Sequence, residues 1–332
     1  MAPSPNHRSL DPERPLRVVT LGGGTGLAAL LRALKPEAGR SKDPWNLTGI
    51  VTVADNGGSS GRLRAELGGI PPGDLRNCLA ALTREESVLS ELLNYRFKGE
   101  GALGGHALGN LMLLALADLT GDWVQAIRQL SSVLVTVGRL YPSTTVPVTL
   151  CAEDAEGVRY EGETAVNACS ARIRRIWIEP EAPEPLPEAM LALLRADLVL
   201  LAPGSLYTST IPNLLIPDLR EMLGQARAPI VYVANLMTEP GESSGLSLED
   251  HVQAIQGYGR VKLAGILANT TPLSPQVRHR YDEEGGAELR PDATTCAGVP
   301  VHGHGLLDPE GLQARHHPTL LNQAIRELVA SL

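Results

Sequence analysis

The 332 residues include 43% hydrophobic side chains, enough for a substantial core in one large α/β domain or two smaller ones. Aromatic residues make up only 3%, so that core must rest on Leu, Val, Ile and Ala, and a net charge of −8 argues against a nucleic-acid surface. No apolar run is long enough for a membrane helix, and Cys78, Cys151, Cys169 and Cys296 form no Cys-x-x-Cys pair, which reads as reduced thiols in a cytoplasmic protein.

Residues 1–15 are polar, rich in Pro and Arg, and lack the apolar segment of a signal peptide; they read as a disordered lead-in. Arg17–Leu21 is then an apolar β-type stretch that runs into Gly22, Gly23, Gly24, Thr25 and Gly26, with a helical pattern from Leu27 to Leu34. Strand, glycine turn and helix start make an anion site: the backbone turns tightly, and the first helical turn offers unpaired N–H groups and a positive dipole end. A diphosphate suits it. The dinucleotide fingerprint wants its last glycine where Leu27 stands, with Gly26 one residue early, and there is no Gly-Lys-Ser/Thr ending, so this is not a P-loop. The plainer reading is a glycine-rich turn without a ligand.

Ile50–Ala54 reads as the second strand. It ends at Asp55, Asn56, Gly57, Gly58, Ser59, Ser60, Gly61 and Arg62, an acid where a dinucleotide fold grips a ribose, followed by backbone, hydroxyl and guanidinium donors. A polar loop with a helix cap at Ser59 or Ser60 is the plainer alternative. In the next loop, Gly68–Asn77, Asp74 either caps a helix beginning near Leu75 or adds a second carboxylate; Asp55 and Asp74 together would suit magnesium bridging phosphates. Gly104–Leu111 opens a strongly apolar helix through Leu119, which is expected to be buried, and His106 and Asn110 share one of its faces.

Residues 135–166 change character, with Pro142, Pro147 and alternating strands that predict an antiparallel excursion built on a hairpin of 146–151 and 158–163. A strand at 172–178 and a helix at 188–195 lead to the fully apolar strand 197–201, as inside a parallel sheet. It runs into Gly204, Ser205 and Tyr207, a second candidate anion cradle, and the strand at 230–234 ends at Asn235, Leu236 and Met237. A further strand spans 263–268, and an amphipathic helix, 321–332, closes the chain. His302-Gly303-His304 and His316-His317 invite a zinc reading but lack Cys partners and a His-Glu-x-x-His frame.

Taken in order, Leu21–Gly26, Ala54–Arg64, Pro72–Asn77, Gly105–Leu111, Gly204–Ser209 and Asn235–Glu242 resemble the motifs of the gluconeogenesis factor family (YvcK type) of the CofD-like superfamily, over nearly the whole chain from Leu16. The resemblance implies a cytoplasmic protein in which 16–332 is one CofD-like nucleotide-binding domain, a Rossmann-like three-layer α/β sandwich with a mostly parallel sheet. It also implies binding of UDP-sugars such as UDP-N-acetylglucosamine, and a regulatory link between carbon supply, cell-wall synthesis and cell shape. A regulatory protein partner in cell-wall precursor synthesis and a homo-oligomer stay open. Two departures stand out: Asp55-Asn56 where relatives often read Asp-Asp, and Arg315-His316-His317-Pro318 where the family tends to show Arg-His-Asp-Pro. Arg315 still matches, as a diphosphate contact.

Three functions follow. In the first, a regulator binds a sugar nucleotide. Gly22–Gly26, Gly204 and Ser205 meet the diphosphate, and Asp55 and Asn56 hold ribose, base or sugar hydroxyls. Asn110, Asn213 and Asn235 read amide or hydroxyl groups. In the second, a 2-phospho-L-lactate-type transferase holds magnesium on Asp55 and Asp74, and catalysis is mainly positioning and electrostatics. In the third, an oxidoreductase binds NAD or a similar dinucleotide; the misplaced glycine speaks against it.

Overall fold

The computed structural model describes residues 14–42, 44–85, 87–169, 171–308 and 311–331. The lead-in expected over 1–15 lies almost wholly outside them. β1 (Arg17–Gly22) turns into α1 (Gly24–Ala38), and β2 (Asn46–Val51) follows. Helices α2 (Gly58–Leu67), α3 (Pro72–Leu82), α4 (Val88–Asn94), α5 (Leu108–Thr120) and α6 (Trp123–Leu134) precede β3 (Arg139–Pro142). β4 (Thr149–Asp154), β5 (Arg159–Glu161), α7 (Glu163–Asn167) and β6 (Ile173–Glu179) form a side unit. Then come α8 (Pro187–Arg195), β7 (Leu198–Leu201), a π-helical turn (Leu206–Thr210), α9 (Ile211–Leu215), α10 (Pro217–Gln225) and β8 (Ile230–Val233). The chain ends with α11 (Leu248–Gly259), β9 (Gly265–Asn269), α12 (Pro275–Glu284), β10 (Thr295–Cys296), β11 (Val299–His304) and α13 (Pro318–Ser331).

The large sheet has the order β10-β11-β9-β8-β7-β1-β2-β3, and every pair except β10 with β11 is parallel. β7 and β8 are buried at every residue, which is why they read as unbroken apolar runs. Leu27, Leu30, Leu31 and Leu34 form the buried stripe of α1, at helical spacing, each contributing about 1.5–3 kcal/mol on burial. α1 packs on α3 and α13 in one helical layer, while α8, α9, α10 and α11 pack together in the other. This is the expected three-layer α/β sandwich. Among the described residues no helix is long and apolar enough to cross a membrane.

Two expectations need correction. β3 belongs to the large sheet, pairing in parallel with β2, so the excursion does not begin at 135. Pro142 misled because proline is tolerated in an edge strand, and β3 is the edge. The antiparallel sheet is β5-β4-β6 and takes its third strand from 173–179, whose alternating burial shows one core face and one solvated face. α5, expected to be buried, buries only Gly109, Asn110 and Leu113.

Candidate functional site

At β1 the strand order reverses: the chain continues to β2 and β3 on one side and to β7, β8 and β9 on the other. Loops leaving the carboxyl ends of β1 and β7 therefore diverge and open a crevice, the place where open α/β sheets take ligands. A cavity of about 600 Å³ lies there, lined by Thr25 and Gly26, Pro203 and Gly204, Asn235–Pro240, and Ala314–His316 among others. A second cavity of about 400 Å³ is lined by Asp55, Gly57–Ser60, Gly73, Asp74, Arg76, Glu163, Thr164 and Asn167 among others. Asn77 lines both, so they are two compartments of one cleft.

The glycines of the first turn are demanded by packing. A Cβ at Gly26 would stand 2.6 Å from the Pro203 carbonyl carbon and nearer still to its oxygen; one at Gly22 would meet Ala202 at 2.8 Å. One at Gly23 would press on Thr52 and on Asp74 Oδ2, and Gly24 has φ +58°. The early position of Gly26 thus answers to the β7 loop crossing over it. Of the orphan N–H groups that open α1, that of Gly24 donates to Asp74 Oδ2 at 2.6 Å. Thr25 and Gly26, which line the larger compartment, stand in the same first turn.

Carboxyl groups crowd the smaller compartment. Asp55 folds back to accept the Gly57 N–H at 2.7 Å. Asp74 lies in the first turn of α3, not at its cap. Burial, and then the Asp55 charge, push its pKa to about 7 against the pull of the Gly24 N–H. Glu163 arrives from α7 of the side unit. Burial, a hydrogen bond to Asp55 and the charges of Asp55 and Asp74 push it up to about 9. Beside it Asn56 Oδ1 accepts the Thr164 N–H at 3.1 Å, latching the side unit to the β2 loop.

Arg76 is the more deeply buried of the two arginines that line the compartment, the other being the exposed Arg96. The Arg76 guanidinium donates to Asn110 at 3.0 Å, Asn94 at 2.5 Å and Asn77 at 2.6 Å, three neutral acceptors, while Asp74 supplies the opposite charge nearby. Asn110 also donates to Ser59 Oγ at 3.1 Å, and Ser59 lies 2.9 Å from His106 Nδ1. Burial and then Arg62 lower the His106 pKa, so the ring is a neutral prop for this network.

The second cradle is occupied by the chain's own groups. The Gly204 N–H donates to Asn235 Oδ1 at 2.9 Å, and Asn235 Nδ2 returns a bond to the Gly204 carbonyl at 2.7 Å. Ser205 Oγ donates to Glu239 at 2.5 Å, and the Tyr207 N–H to Glu242 at 3.4 Å. Expected diphosphate donors at Gly204 and Ser205 are therefore already engaged, the first by the Asn235 amide and the second by the Glu239 carboxylate. Asn213 is fully buried and donates to the Gly22 and Ser209 carbonyls, supporting the turn from beneath. Arg62 points to the Gly104 carbonyl instead of lining the cleft. Met237 and Arg315 line the larger compartment, and Arg315 is exposed there.

Sequence reasoning missed Arg32, Arg76, Asn77 and Glu239, and the side unit's Glu163, Thr164 and Asn167, and it read His316 as a zinc candidate where the structure puts it on the wall of the larger compartment. Arg76 and Asn77 stand in the Pro72–Asn77 motif and share the α3 turn with Asp74, a signal that was available. Among the described residues no group of three or more His, Cys, Asp or Glu is arranged to hold a metal ion. His302 and His304 lie on β11, and His304 Nδ1 is 3.6 Å from Glu327.

The chain matches the family described as 2-phospho-L-lactate transferase CofD over residues 18–305. A relative from Nostoc sp., provisionally named a gluconeogenesis factor, is 49% identical over 81% of this chain and 58% of its own length. The chain thus spans little more than half of that relative. One of the same provisional name from Aquifex aeolicus is 40% identical over 95% of this chain and 97% of its own. A crystal structure of a Bacillus halodurans protein superposes with a TM-score of 0.89 at 38% identity, covering 94% of this chain and all of that one.

Proposed function

We propose that this chain, which belongs to the CofD family and stands among its gluconeogenesis factors, is a regulator that binds a UDP-sugar such as UDP-N-acetylglucosamine and so ties carbon supply to cell-wall synthesis and cell shape. The observation that carries the reading is the two-compartment cleft at the strand switch. The larger compartment offers the first turn of α1 and the guanidinium groups of Arg32 and Arg315 to a diphosphate, and Leu236, Met237 and Tyr281 as walls for a base. The smaller one offers carboxyl, amide and hydroxyl groups, the set that pairs with the hydroxyls of a sugar. Binding of this kind needs no nucleophile.

Calorimetric titration with UDP-N-acetylglucosamine, UDP and NAD tests it. Saturable heat is expected with the sugar nucleotide, larger than with UDP alone. No heat and no thermal shift with any sugar nucleotide rejects it.

A magnesium-dependent 2-phospho-L-lactate-type transferase is the second reading, supported by the family description and by Asp55 beside Asp74. Magnesium is usually held by one or two carboxylates plus substrate phosphates, and these hard oxygen donors fit that mode rather than an all-protein site. Bound there, the ion would neutralise charge on the phosphates. Asp74→Asn would then abolish metal-dependent turnover; ligand affinity indifferent to magnesium counts against the reading.

A further inference from the structure

At the amino edge of the large sheet, the end opposite the cleft, three neighbouring parallel strands each begin with a polar residue: Arg17 on β1, Asn46 on β2 and Arg139 on β3. Register pairs Arg17 with Asn46 and Thr48 with Arg139, so these residues share one face of the sheet with Val19 and Tyr141. It is the face away from α1, since a Cβ at Gly49, on the other side, would meet Leu31. α8 packs on β1 and β3 and spans the β2 floor between them. Its Glu188, Leu191, Ala192 and Arg195, at helical spacing, overhang a cavity of about 200 Å³. A parallel-sheet face under a helix is ordinarily apolar. Here Arg17 is held by Asp197, which also takes Arg14, and Glu188 is held by Arg128. Arg139 and Arg195 have no ion pair among the described residues. Around this recess arginines thus outnumber carboxylates five to two, in a chain whose net charge is −8. Arg195 also suits the last turn of α8, where the dipole favours a cation, but Arg139 has no such use. Thr48 is the other anomaly. It is 5% exposed, yet its hydroxyl bonds nothing among the described residues and is not sealed from solvent, so it opens into the cavity. The half-buried Tyr141 brings a second hydroxyl without a partner among the described residues.

We propose that this recess is a second binding site, separate from the cleft, for a small phosphate monoester. The phosphate lies between Arg139 and Arg195, and the organic part turns its hydroxyls to Thr48, Asn46 and Tyr141 beneath Leu191 and Ala192. A guanidinium presents a planar fork of donors that matches phosphate oxygens, and two of them neutralise a dianion. Arg17, tied to Asp197 through Nε and one terminal nitrogen, adds field more than bonds. The cavity is below the ~300–1,000 Å³ of pockets that take drug-sized ligands, which suits a guest of a few carbons and excludes a nucleotide. A nucleic acid would need the basic charge spread along an open face, whereas here it converges on a recess under a helix. β1 is six residues long, so ~17 Å of strand separates Arg17 from the glycine turn of the cleft. The two sites therefore take different guests at opposite ends of the same strands.

Calorimetric titration of the full chain with glycerol 3-phosphate, glucose 6-phosphate, inorganic phosphate and succinate tests this. Saturable heat is expected with at least one of the two monoesters, at lower Kd than with inorganic phosphate or succinate. Arg139→Gln and Arg195→Gln should each raise that Kd by about 10- to 100-fold, and Thr48→Val, which keeps the side-chain shape, by about 5-fold. Arg139 and Arg195 are exposed, so circular dichroism and melting of their variants should not change. Hydrogen exchange of residues 139–141 and 187–195 should slow on saturation with the monoester. No saturable heat with either monoester overturns the proposal, as does binding unmoved by both arginine variants. So does tighter binding of succinate than of both monoesters. Loss of monoester binding on Arg315→Ala, with the Arg139 and Arg195 variants unaffected, would put the phosphate in the cleft and also overturn it.

Discussion

Replacing Gly26 by alanine adds one methyl group where two loops cross. The new Cβ would face backbone only: the Pro203 carbonyl carbon at 2.6 Å, its oxygen nearer, and Gly204 Cα at 3.0 Å. No side chain can swing aside, so the β7 loop must withdraw, by on the order of 1 Å in a region packed at crystal-like density. Withdrawal is resisted, because Asn235 bonds both the N–H and the carbonyl of Gly204. Overpacking typically costs 1–3 kcal/mol, and an encounter with backbone puts this variant at about 3 kcal/mol. Gly257→Ala is the control. It lies inside α11 with open space around its Cβ and should stabilise by about 0.5–1 kcal/mol through helix propensity. Urea denaturation with both variants gives the free energies, and calorimetry gives their effect on ligand affinity. Gly26→Ala should lose stability and ligand together. A variant with wild-type stability would refute the claim that the loop crossing, and not a ligand, requires this glycine.

Arg315→Ala should weaken binding of the sugar nucleotide about 10- to 100-fold, the worth of one charged hydrogen bond, without moving the melting temperature, as calorimetry and a thermal scan would show. Glu242 is pushed from 4.5 to about 8, first by burial and then by Glu239, so folding stability should fall as pH rises from about 4.5 to 8. Glu242→Gln, neutral at every pH and still an acceptor for Tyr207, should match wild type near pH 5 and be the more stable near pH 9 by urea denaturation. Asp197 is the reverse case: burial opposes its charge, but the bonds from Arg17 overcome that and lower its pKa. Its stabilisation should be present above the ordinary carboxylate pKa and be lost as pH falls through the lowered value. Asp197→Asn should cost about 1–3 kcal/mol at neutral pH and flatten that acid limb.

Residues 17–38 were the most legible part of the chain, whereas the second strand, expected at 50–54, runs over Asn46–Val51. Alternation and helical period are local signals, and strand, glycine turn and helix follow one another within 17–38 as the spacing predicts. What the glycines are for was less legible, since Gly22 and Gly26 serve a loop more than 170 residues away. Gly204 and Ser205 looked like an open cradle because nothing in their neighbourhood announces that Asn235 and Glu239 return to fill it. Glu163 was out of reach for the same reason: only the antiparallel sheet carries it to Asp55. For α5 the period marks the faces correctly but cannot count the neighbours available to cover them.

Those long-range returns share one physical theme. The start of α1 is where a phosphate would sit, yet the Gly24 N–H is held by Asp74, an anion supplied from α3. Asp74 is itself crowded by Asp55, and Asp55 by Glu163, so the site satisfies its dipole internally at the cost of raised carboxyl pKa values. A diphosphate settling on the Thr25 and Gly26 N–H groups adds negative charge beside that cluster. Coulomb repulsion then favours whatever compensates it: a proton retained on Asp74, an arginine from the larger compartment, or a divalent cation brought with the phosphates. Arg32 and Arg315 line the compartment that the phosphates would occupy, whereas Arg76 is pinned among three asparagines in the other. Each compartment carries both signs, Arg76 and Arg96 with the acids of the smaller and Glu239 with the arginines of the larger, so the phosphate position we propose follows from the first turn of α1 and not from a division of charge.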